Sequence, residues 1–163
     1  MYASSGKKRT DRKTCVVAAE GNLWQSTRPR LLGAGFVCQR IETSTGDGVP
    51  DVWVGRGDYY AWLENKATKQ WPVRDTSKVF GSHGLRPEQE VWLLNAHNAR
   101  LRAFVWAGVG TGHGRQTFLV PCSEAERFND MTKPELEMYR CSYQQLLVVL
   151  QNTGTLAYPL PTP

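Results

Sequence analysis

The chain has 163 residues, of which 40% are hydrophobic and 21% charged, and its formal net charge is +5. This length suits one domain with a single core and is short for two. No apolar run approaches the roughly 20 residues of a membrane-spanning helix, and the N-terminal residues lack the apolar stretch of a secretion signal. We therefore expect a cytoplasmic protein without a membrane partner. Its four scattered cysteines are expected to be reduced thiols, with a disulfide or a structural zinc site as the alternatives.

The positive charge favours an acidic partner, and nucleic acid is the commonest one. A cluster of basic residues occupies an N-terminal tail over residues 1–14: Lys7, Lys8, Arg9, Arg12 and Lys13. This tail either lies along phosphates or only keeps the chain soluble, and both interpretations stay open. A second, proline-rich tail is predicted over residues 154–163. Residues 15–153 between the tails are expected to form one domain.

The first half of the domain alternates between helix and strand signals. Residues 16–32 are predicted to form a helix that is broken or kinked at Pro29, with inward apolar side chains at Val17, Leu23, Trp24 and Leu31. Residues 36–42 follow as a strand. Residues 51–54 and 59–67 are predicted to pair as a β-hairpin, because two β-prone runs flank a short Gly/Asp turn.

The second half begins with a polar, irregular stretch over residues 68–84, which is long for an internal loop and therefore predicted to be functional or mobile. Pro87 suits the first position of a helix over residues 88–100. The inner side of this helix is predicted to carry Val91, Leu94 and Leu101.

Two further strands are predicted over residues 102–109 and 116–121, joined by a glycine-rich connection. Ser123 is predicted to cap a short helix, and Ser142 a last helix that ends near residue 151. The order is helix, three strands, helix, two strands, helix. This order predicts an α/β fold with a central mixed sheet flanked by helices: αβββαβ plus an additional strand and a C-terminal helix.

Two carboxylates and a lysine stand out within the predicted hairpin. Residues two apart in a strand project from the same face, so Glu64 and Lys66 point the same way. If the two strands pair as a hairpin, Asp51 at the start of the first strand faces the end of the second. Taken singly, an Asp after a proline is a common turn residue, and a Glu-x-Lys pair is often a solvated strand face. Together they predict two acids and an ammonium at one edge of the sheet.

Phosphodiester hydrolysis uses this set of groups. Carboxylate oxygens bind Mg²⁺, and Mn²⁺ accepts the same ligands. The bound metal activates a water and neutralises charge that develops on the phosphate. A lysine beside it orients the water or stabilises negative charge. The pattern therefore predicts a Mg²⁺-dependent hydrolase of phosphodiester bonds.

The chain resembles a known nuclease family over residues 20–109. The strings that carry the resemblance are Arg40-Ile41-Glu42, Gly48-Val49-Pro50-Asp51-Val52, Trp62-Leu63-Glu64-Asn65-Lys66, and Leu85-Arg86-Pro87-Glu88-Gln89 with Trp92. They are similar to the VRR-NUC-type and phage-borne branches of the PD-(D/E)xK nucleases. Those branches share a restriction-endonuclease-like core with archaeal-type Holliday junction resolvases and phage endonuclease I-type resolvases.

The resemblance implies roles for six residues. Asp51 matches the acid of the PD element, and Glu64 with Lys66 matches the (D/E)xK element. Gln89 matches a glutamine that family members place near the site, and Glu20 matches a glutamate of the first helix. We therefore expect Asp51, Glu64 and Glu20 to bind metal. Glu42, on the strand that leads to the site, is a second candidate for the extra acid. Asn65 departs from the family pattern, which usually has an apolar residue there.

The same resemblance implies a DNA endonuclease for branched or structured DNA, similar to a Holliday junction resolvase and active in DNA recombination. Two symmetric cuts would favour a homodimer, and a phage-encoded member would act in the host cytoplasm. Two alternatives stay open: a nickase or replication and repair nuclease for ordinary duplex, and an inactive DNA-binding protein that retains the fold. DNA-backbone contacts are predicted at Arg40, Lys69, Arg74, Lys78 and Arg86, with Trp71 and Phe80 as candidates for base stacking.

Overall fold

A computed structural model of the chain describes residues 12–41 and 48–152, with side chains from residue 19 onward. Within these ranges the elements are α1 (Arg12–Gly33), β1 (Val37–Arg40), β2 (Val52–Arg56), β3 (Tyr59–Thr68), α2 (Pro87–Asn98), β4 (Ala103–Val109), β5 (Gln116–Pro121), α3 (Ala125–Phe128), α4 (Lys133–Glu137) and α5 (Tyr143–Gln151). Single 3₁₀ turns cover Gly81–His83, Gly112–Gly114 and Cys122–Glu124.

The strands form one mixed sheet in the order β1-β2-β3-β4-β5. β3 and β4 are parallel, and the other neighbouring pairs are antiparallel. The parallel pair requires a crossover, which the irregular stretch after β3 and helix α2 supply. The predicted hairpin is confirmed, with Arg56 paired to Tyr59. The predicted α/β class, with a central mixed sheet flanked by helices, is confirmed as well.

Helices cover both faces of the sheet and bury a core on each. One core lies between the sheet and helices α1 and α5, and its strand residues include Val54, Leu63, Phe104 and Trp106. The other lies between the sheet and helices α2, α3 and α4, and includes Leu93, Val105, Phe118, Phe128 and Leu136. Because alternate residues of β3 and β4 point to opposite faces, each strand contributes to both cores. This three-layer arrangement fixes the direction of every β3 side chain.

Helix α1 continues through Pro29 to Gly33, so the predicted break is wrong. Packing outweighs the missing backbone donor, because Leu23 and Leu31 are fully buried on either side of the proline. Between them, the buried Thr27 hydroxyl donates to the Leu23 carbonyl at 2.8 Å and accepts from the Trp106 indole at 2.9 Å. This bond satisfies a polar group in the core, where an unpaired one would be costly, and it fixes α1 against β4.

The inner side of α2 was predicted only in part: Leu94 packs against the core, but the other two predicted residues do not lie inside. Val91 is 57% exposed and Leu101 37%, whereas Leu93 and Gln89 are buried. A buried stripe at residues 89, 93 and 96 fits a helix period, but it requires a polar glutamine on the inner face. The predicted face through Val91, Leu94 and Leu101 is therefore rotated away from Leu93.

Two of the predicted helix starts can be compared with the structure. Ser142 accepts from the Gln145 backbone and forms a reciprocal capping box at the start of α5, as predicted. Ser123 does not cap α3, because it lies inside a 3₁₀ turn. Helix α4 was not predicted; it begins with a capping box between Thr132 and Glu135. In the part of the chain that the structure describes, no helix is long and apolar enough to cross a membrane.

Candidate active site

Glu64 and Lys66 lie near the C-terminal end of β3, on the sheet face that also carries the core of α2. The strand alternation gives them one direction, and β4 supports them from the side, with Glu64 opposite Val105 and Lys66 opposite Ala107. The Glu64 side chain is 1% exposed and the Lys66 side chain 8%. Lys66 Nζ lies 2.9 Å from Glu64 Oε1. The pairing of β3 with β4 therefore holds the two buried side chains within hydrogen-bond distance of each other.

Asp51 precedes β2 and reaches the same edge. Because Val52 pairs with Leu63, the hairpin register extends to place Asp51 across from Glu64. The Asn65 backbone N–H donates to Asp51 Oδ2 at 3.0 Å, and the Ile41 N–H donates to the Asp51 carbonyl at 2.8 Å. These bonds hold the carboxylate over the end of β3. The hairpin therefore brings Asp51 to the Glu64–Lys66 pair, as its spacing predicts.

Gln89 joins the site from the first turn of α2. Its side chain is buried and donates through Nε2 to Glu64 Oε1 at 2.5 Å. Its Oε1 accepts from the Arg86 backbone N–H at 3.0 Å, which closes a capping box at the helix start. The cap fixes the amide orientation, so Gln89 presents a donor to Glu64. Glu64 Oε2 is buried and has no hydrogen-bond partner among the described residues.

Glu20 completes the group from helix α1. Its Oε1 lies 4.0 Å from Lys66 Nζ, and its side chain is 24% exposed. Lys66 therefore contacts a carboxylate from α1 as well as one from its own strand. Glu42, the other candidate for the extra acid, falls outside the described residues.

Burial and mutual repulsion raise the pKa of two of these carboxyls. The pKa of Glu64 is raised from 4.5 to about 7, chiefly by burial; Lys66 opposes the rise, and the charges of Asp51 and Glu20 contribute to it. Burial likewise raises the pKa of Glu20 to about 7, where Lys66 and Arg86 oppose the rise and Asp51 adds to it. Such shifts mark carboxylates whose charge is incompletely compensated. A cation placed among them would lower the free energy of the ionised state.

The loop that leads to Asp51 rests against the start of α2. Gly48 has φ +70°, and a Cβ built on it would lie 2.0 Å from the Glu88 carbonyl oxygen. There is no room for a side chain here, because the atoms that it would meet are backbone atoms of α2. The close approach couples the position of Asp51 to the helix that carries Gln89.

Gly48→Ala is expected to destabilise the fold by more than the roughly 1–2 kcal/mol of a left-handed alanine, because the backbone of the loop or of α2 must also move. Gly57→Ala is the matched control: Gly57 has φ +58° and open space around its Cβ position. Urea unfolding of both variants measures the difference. Equal losses of stability would show that the Gly48 contact with α2 carries no energy.

The five residues predicted to contact DNA are all exposed: Arg40, Lys69, Arg74, Lys78 and Arg86. The charge of Arg86 reaches the site because it lowers the pKa of Glu20. Lys78 forms an ion pair with Asp130.

The predicted stacking role is wrong for Phe80, which is 4% exposed and stacks on Phe128 in the core. Trp71 packs edge-on against Phe118, and its indole N–H donates to Gln116 Oε1 at 2.9 Å. The stacking role was predicted for both rings because they lie in a loop between basic residues. In the structure, contacts with β5 and α3 fix the positions of the two rings.

Metal binding at this site requires carboxylate oxygens that are not already paired with Lys66 or Gln89. Among the described side chains, no three of His, Cys, Asp or Glu converge closely enough to hold an ion, and Lys66 lies within 4.0 Å of both Glu20 and Glu64. Mg²⁺ needs only one or two protein carboxylates, since it keeps several waters. Asp51 and the unpartnered Oε2 of Glu64 supply that set. The residues therefore fit a divalent ion held by two carboxylates.

Sequence reasoning missed two contributions to the site. Asn65, noted only as a departure from the family pattern, holds Asp51 through its backbone N–H. Arg86, predicted to contact DNA, also provides the N-cap backbone group that orients Gln89. Both act through main-chain atoms, which residue type does not reveal.

Comparisons with known proteins give a likeness in structure but no match in sequence. No protein-family model matches the sequence, and no curated protein matches it significantly. Among solved structures, the chain is similar to Hjc, a Holliday junction resolvase from the archaeal hyperthermophile Archaeoglobus fulgidus, with 19% identity and a TM-score of 0.47. The alignment covers 69% of this chain and 86% of that chain. The function of this chain is therefore inferred from its own residues.

Proposed function

We propose that the chain is a metal-dependent DNA endonuclease of the PD-(D/E)xK type. The observation that carries the proposal is the buried Glu64 carboxylate, which has a lysine and a glutamine on one oxygen and no described partner on the other. An ionised carboxylate with an unsatisfied buried oxygen is costly. Asp51 lies beside it with its own carboxylate fixed by a backbone donor. These two carboxylates would be the ones to hold a cation.

Asp51 and Glu64 would hold Mg²⁺, with Mn²⁺ as a substitute. When bound, the ion supplies a water of lowered pKa and positive charge for the phosphate oxygens. The chain's own groups do the rest of the positioning. Gln89 Nε2 keeps Glu64 Oε1 in place and leaves Oε2 without a described partner, so Oε2 would be the oxygen that binds the metal.

Lys66 is proposed to act on the reacting phosphate. Its ammonium carries three N–H donors, and it contacts Glu64 at 2.9 Å and Glu20 at 4.0 Å. When a cation takes over the charge of Glu64, Glu20 remains to hold the ammonium at the site. Lys66 is then placed to donate to a phosphate oxygen or to the attacking water. Glu20 completes the acidic group either in this way or as a third ligand.

The proposed substrate is branched or otherwise structured DNA. This part of the proposal is supported by the resemblance of the site strings to VRR-NUC-type and phage-borne nucleases. It implies two cuts placed symmetrically, and a homodimer provides two such sites. The exposed cations Arg86, Lys69 and Arg74 border the site in sequence and are proposed to contact the DNA backbone.

A cleavage assay with two DNA substrates tests the proposal. A labelled four-way junction and a linear duplex of matched arm sequence are incubated with the full chain in Mg²⁺ or in EDTA. We expect cutting only with Mg²⁺ and faster cutting of the junction. A Lys66→Ala variant purified in the same way should lose the activity, which would assign it to this site.

The other outcomes are equally informative. Equal rates on the two substrates would contradict the preference for branched DNA and favour a nickase or repair nuclease. Binding without any metal-dependent cutting would contradict the endonuclease and favour a DNA-binding protein. Cutting that persists in Lys66→Ala would contradict the proposed site.

A further inference from the structure

A second concave site lies apart from the acidic group, between α1, the β4–β5 connection and the start of α5. Its volume is about 630 Å³, and its lining includes Asn22, Ser26, Arg30, His113, Arg115 and Tyr143. None of its lining residues is acidic. Two guanidinium groups therefore share one cavity without a neutralising carboxylate in its wall, which makes the cavity electropositive.

Arg30 is held in this cavity by two contacts. Its guanidinium carbon lies 4.2 Å from the centroid of the Tyr143 ring, and its Nη1 donates to the Ser26 carbonyl. The Ser26 hydroxyl donates to the Leu23 carbonyl at 2.8 Å. It must therefore accept from the Tyr143 hydroxyl, which lies 2.7 Å away. The ring and the guanidinium are thus fixed before any ligand arrives.

Arg115 is held independently on the opposite wall. Its aliphatic stem lies across Gly108 of β4, where an added Cβ would come within 3.1 Å of the Arg115 Cδ. Its Nε donates to the Gly110 carbonyl at 3.3 Å. Among the contacts of the described residues, its two terminal nitrogens have no acceptor. A planar guanidinium presented in this way matches the oxygens of a phosphate.

The cavity and the acidic group share one edge of the sheet. The Gly110 N–H donates to the Thr68 carbonyl at 3.0 Å, so the β4–β5 connection lies beside the end of β3, two residues after Lys66. Helix α1 carries Glu20 to one site and Arg30 to the other. At 1.5 Å per residue, these ten positions span about 15 Å along the helix axis. That distance corresponds to about four nucleotides at 3.4 Å each.

We propose that this cavity binds a backbone phosphate of the DNA, about four nucleotides from the bond that is cut. The proposal rests on the proposed function and adds a second point of attachment. Arg30 and Arg115 donate to the phosphate oxygens, and the side-chain amide of Asn22 in the cavity wall is a further donor. Attachment at two points along one strand fixes the direction in which the scissile phosphate enters the acidic site.

Binding measured against salt tests the cavity separately from cleavage. Fluorescence anisotropy of a labelled junction in EDTA gives Kd over a series of KCl concentrations. For the double variant Arg30→Gln with Arg115→Gln, we expect about tenfold weaker binding near ~0.1 M salt. We also expect the slope of log Kd against log salt to fall by about one, the value for one lost phosphate contact. Arg115→Gln alone keeps the Arg30–Tyr143 stack and should give part of the loss.

Arg100→Gln is the matched control, because Arg100 is exposed and lies before β4, at the opposite edge of the sheet. An equal effect in this control, or an unchanged slope in the double variant, would overturn the phosphate site. A reduced slope in a chain that binds DNA without cutting it would support the cavity and contradict only the nuclease. A wild-type chain that binds no DNA would overturn both proposals.

Discussion

Asp51→Asn is expected to reduce the rate of Mg²⁺-dependent DNA cleavage by about a hundredfold to a thousandfold. Removing one preorganised electrostatic group from an active site has an effect of this order. The amide keeps the shape of the carboxylate and can still accept from the Asn65 N–H, which donates to Asp51 at 3.0 Å. The variant therefore loses charge and metal affinity while the loop geometry is retained. Initial rates on a four-way junction, measured over a Mg²⁺ titration, check this expectation.

The control for this variant is Asp75→Asn, since Asp75 is exposed and pairs with Lys133 outside the site. It should cut at the wild-type rate. The charge of Asp51 also raises the pKa of both Glu20 and Glu64, so Asp51→Asn should make the metal-free protein more stable at pH 8. A variant that cuts normally would show that Asp51 is a turn residue without a metal. One that is inactive and also unfolded would show a structural role.

Strand periodicity made the centre of the site predictable. Glu64 and Lys66 share a face because they are two apart in a strand, and this relation holds wherever the strand lies. The hairpin that places Asp51 opposite them depends on a short turn, and the sequence signals such turns well. Local rules were sufficient here because the three residues lie within 16 positions of one another.

Contacts between distant elements could not be predicted in the same way. The buried place of Gln89 depends on how α2 packs after the crossover. The two arginines of the basic cavity lie on α1 and after β4, far apart in sequence. No local pattern joins them, and only the assembled sheet brings them to one edge. Strand periodicity therefore predicted the residues of one strand pair, and the family resemblance added Glu20 and Gln89. The two arginines of the cavity, which only tertiary packing brings together, were missed.

Glu64→Gln is expected to stabilise the metal-free protein at alkaline pH while abolishing cleavage. The pKa of Glu64 is raised by burial from 4.5 to about 7, so ionisation disfavours the folded state. The contribution of Glu64 to the free energy of unfolding is therefore highest below about pH 4.5, where Glu64 is protonated in both states. It falls as the pH rises to about 7. The difference of about 2.5 pH units corresponds to a loss on the order of 3 kcal/mol. The variant has no carboxyl at this position and escapes the loss.

Urea unfolding in EDTA at pH 5 and pH 8 measures this effect as the stability of Glu64→Gln minus that of the wild type. The difference should grow in favour of the variant at pH 8. At pH 5 Glu64 is protonated and forms no ion pair with Lys66, and at pH 8 the attraction of Lys66 is already part of the raised pKa. Glu126→Gln, at an exposed position of α3, should show no such growth.

Mg²⁺ provides the second half of this test. It should restore stability to the wild type at pH 8 and have less effect on the variant, because an ion that binds only the folded state stabilises it by mass action. If the unfolding free energies of variant and wild type changed with pH in parallel, the raised pKa of Glu64 would be contradicted. An equal response of both proteins to Mg²⁺ would contradict Glu64 as a ligand. The pH profiles measure how much the ionised Glu64 destabilises the metal-free protein, and the Mg²⁺ response measures how much it contributes to metal binding. Both depend on the same carboxylate, because the oxygen without a described partner is the one proposed to hold the metal.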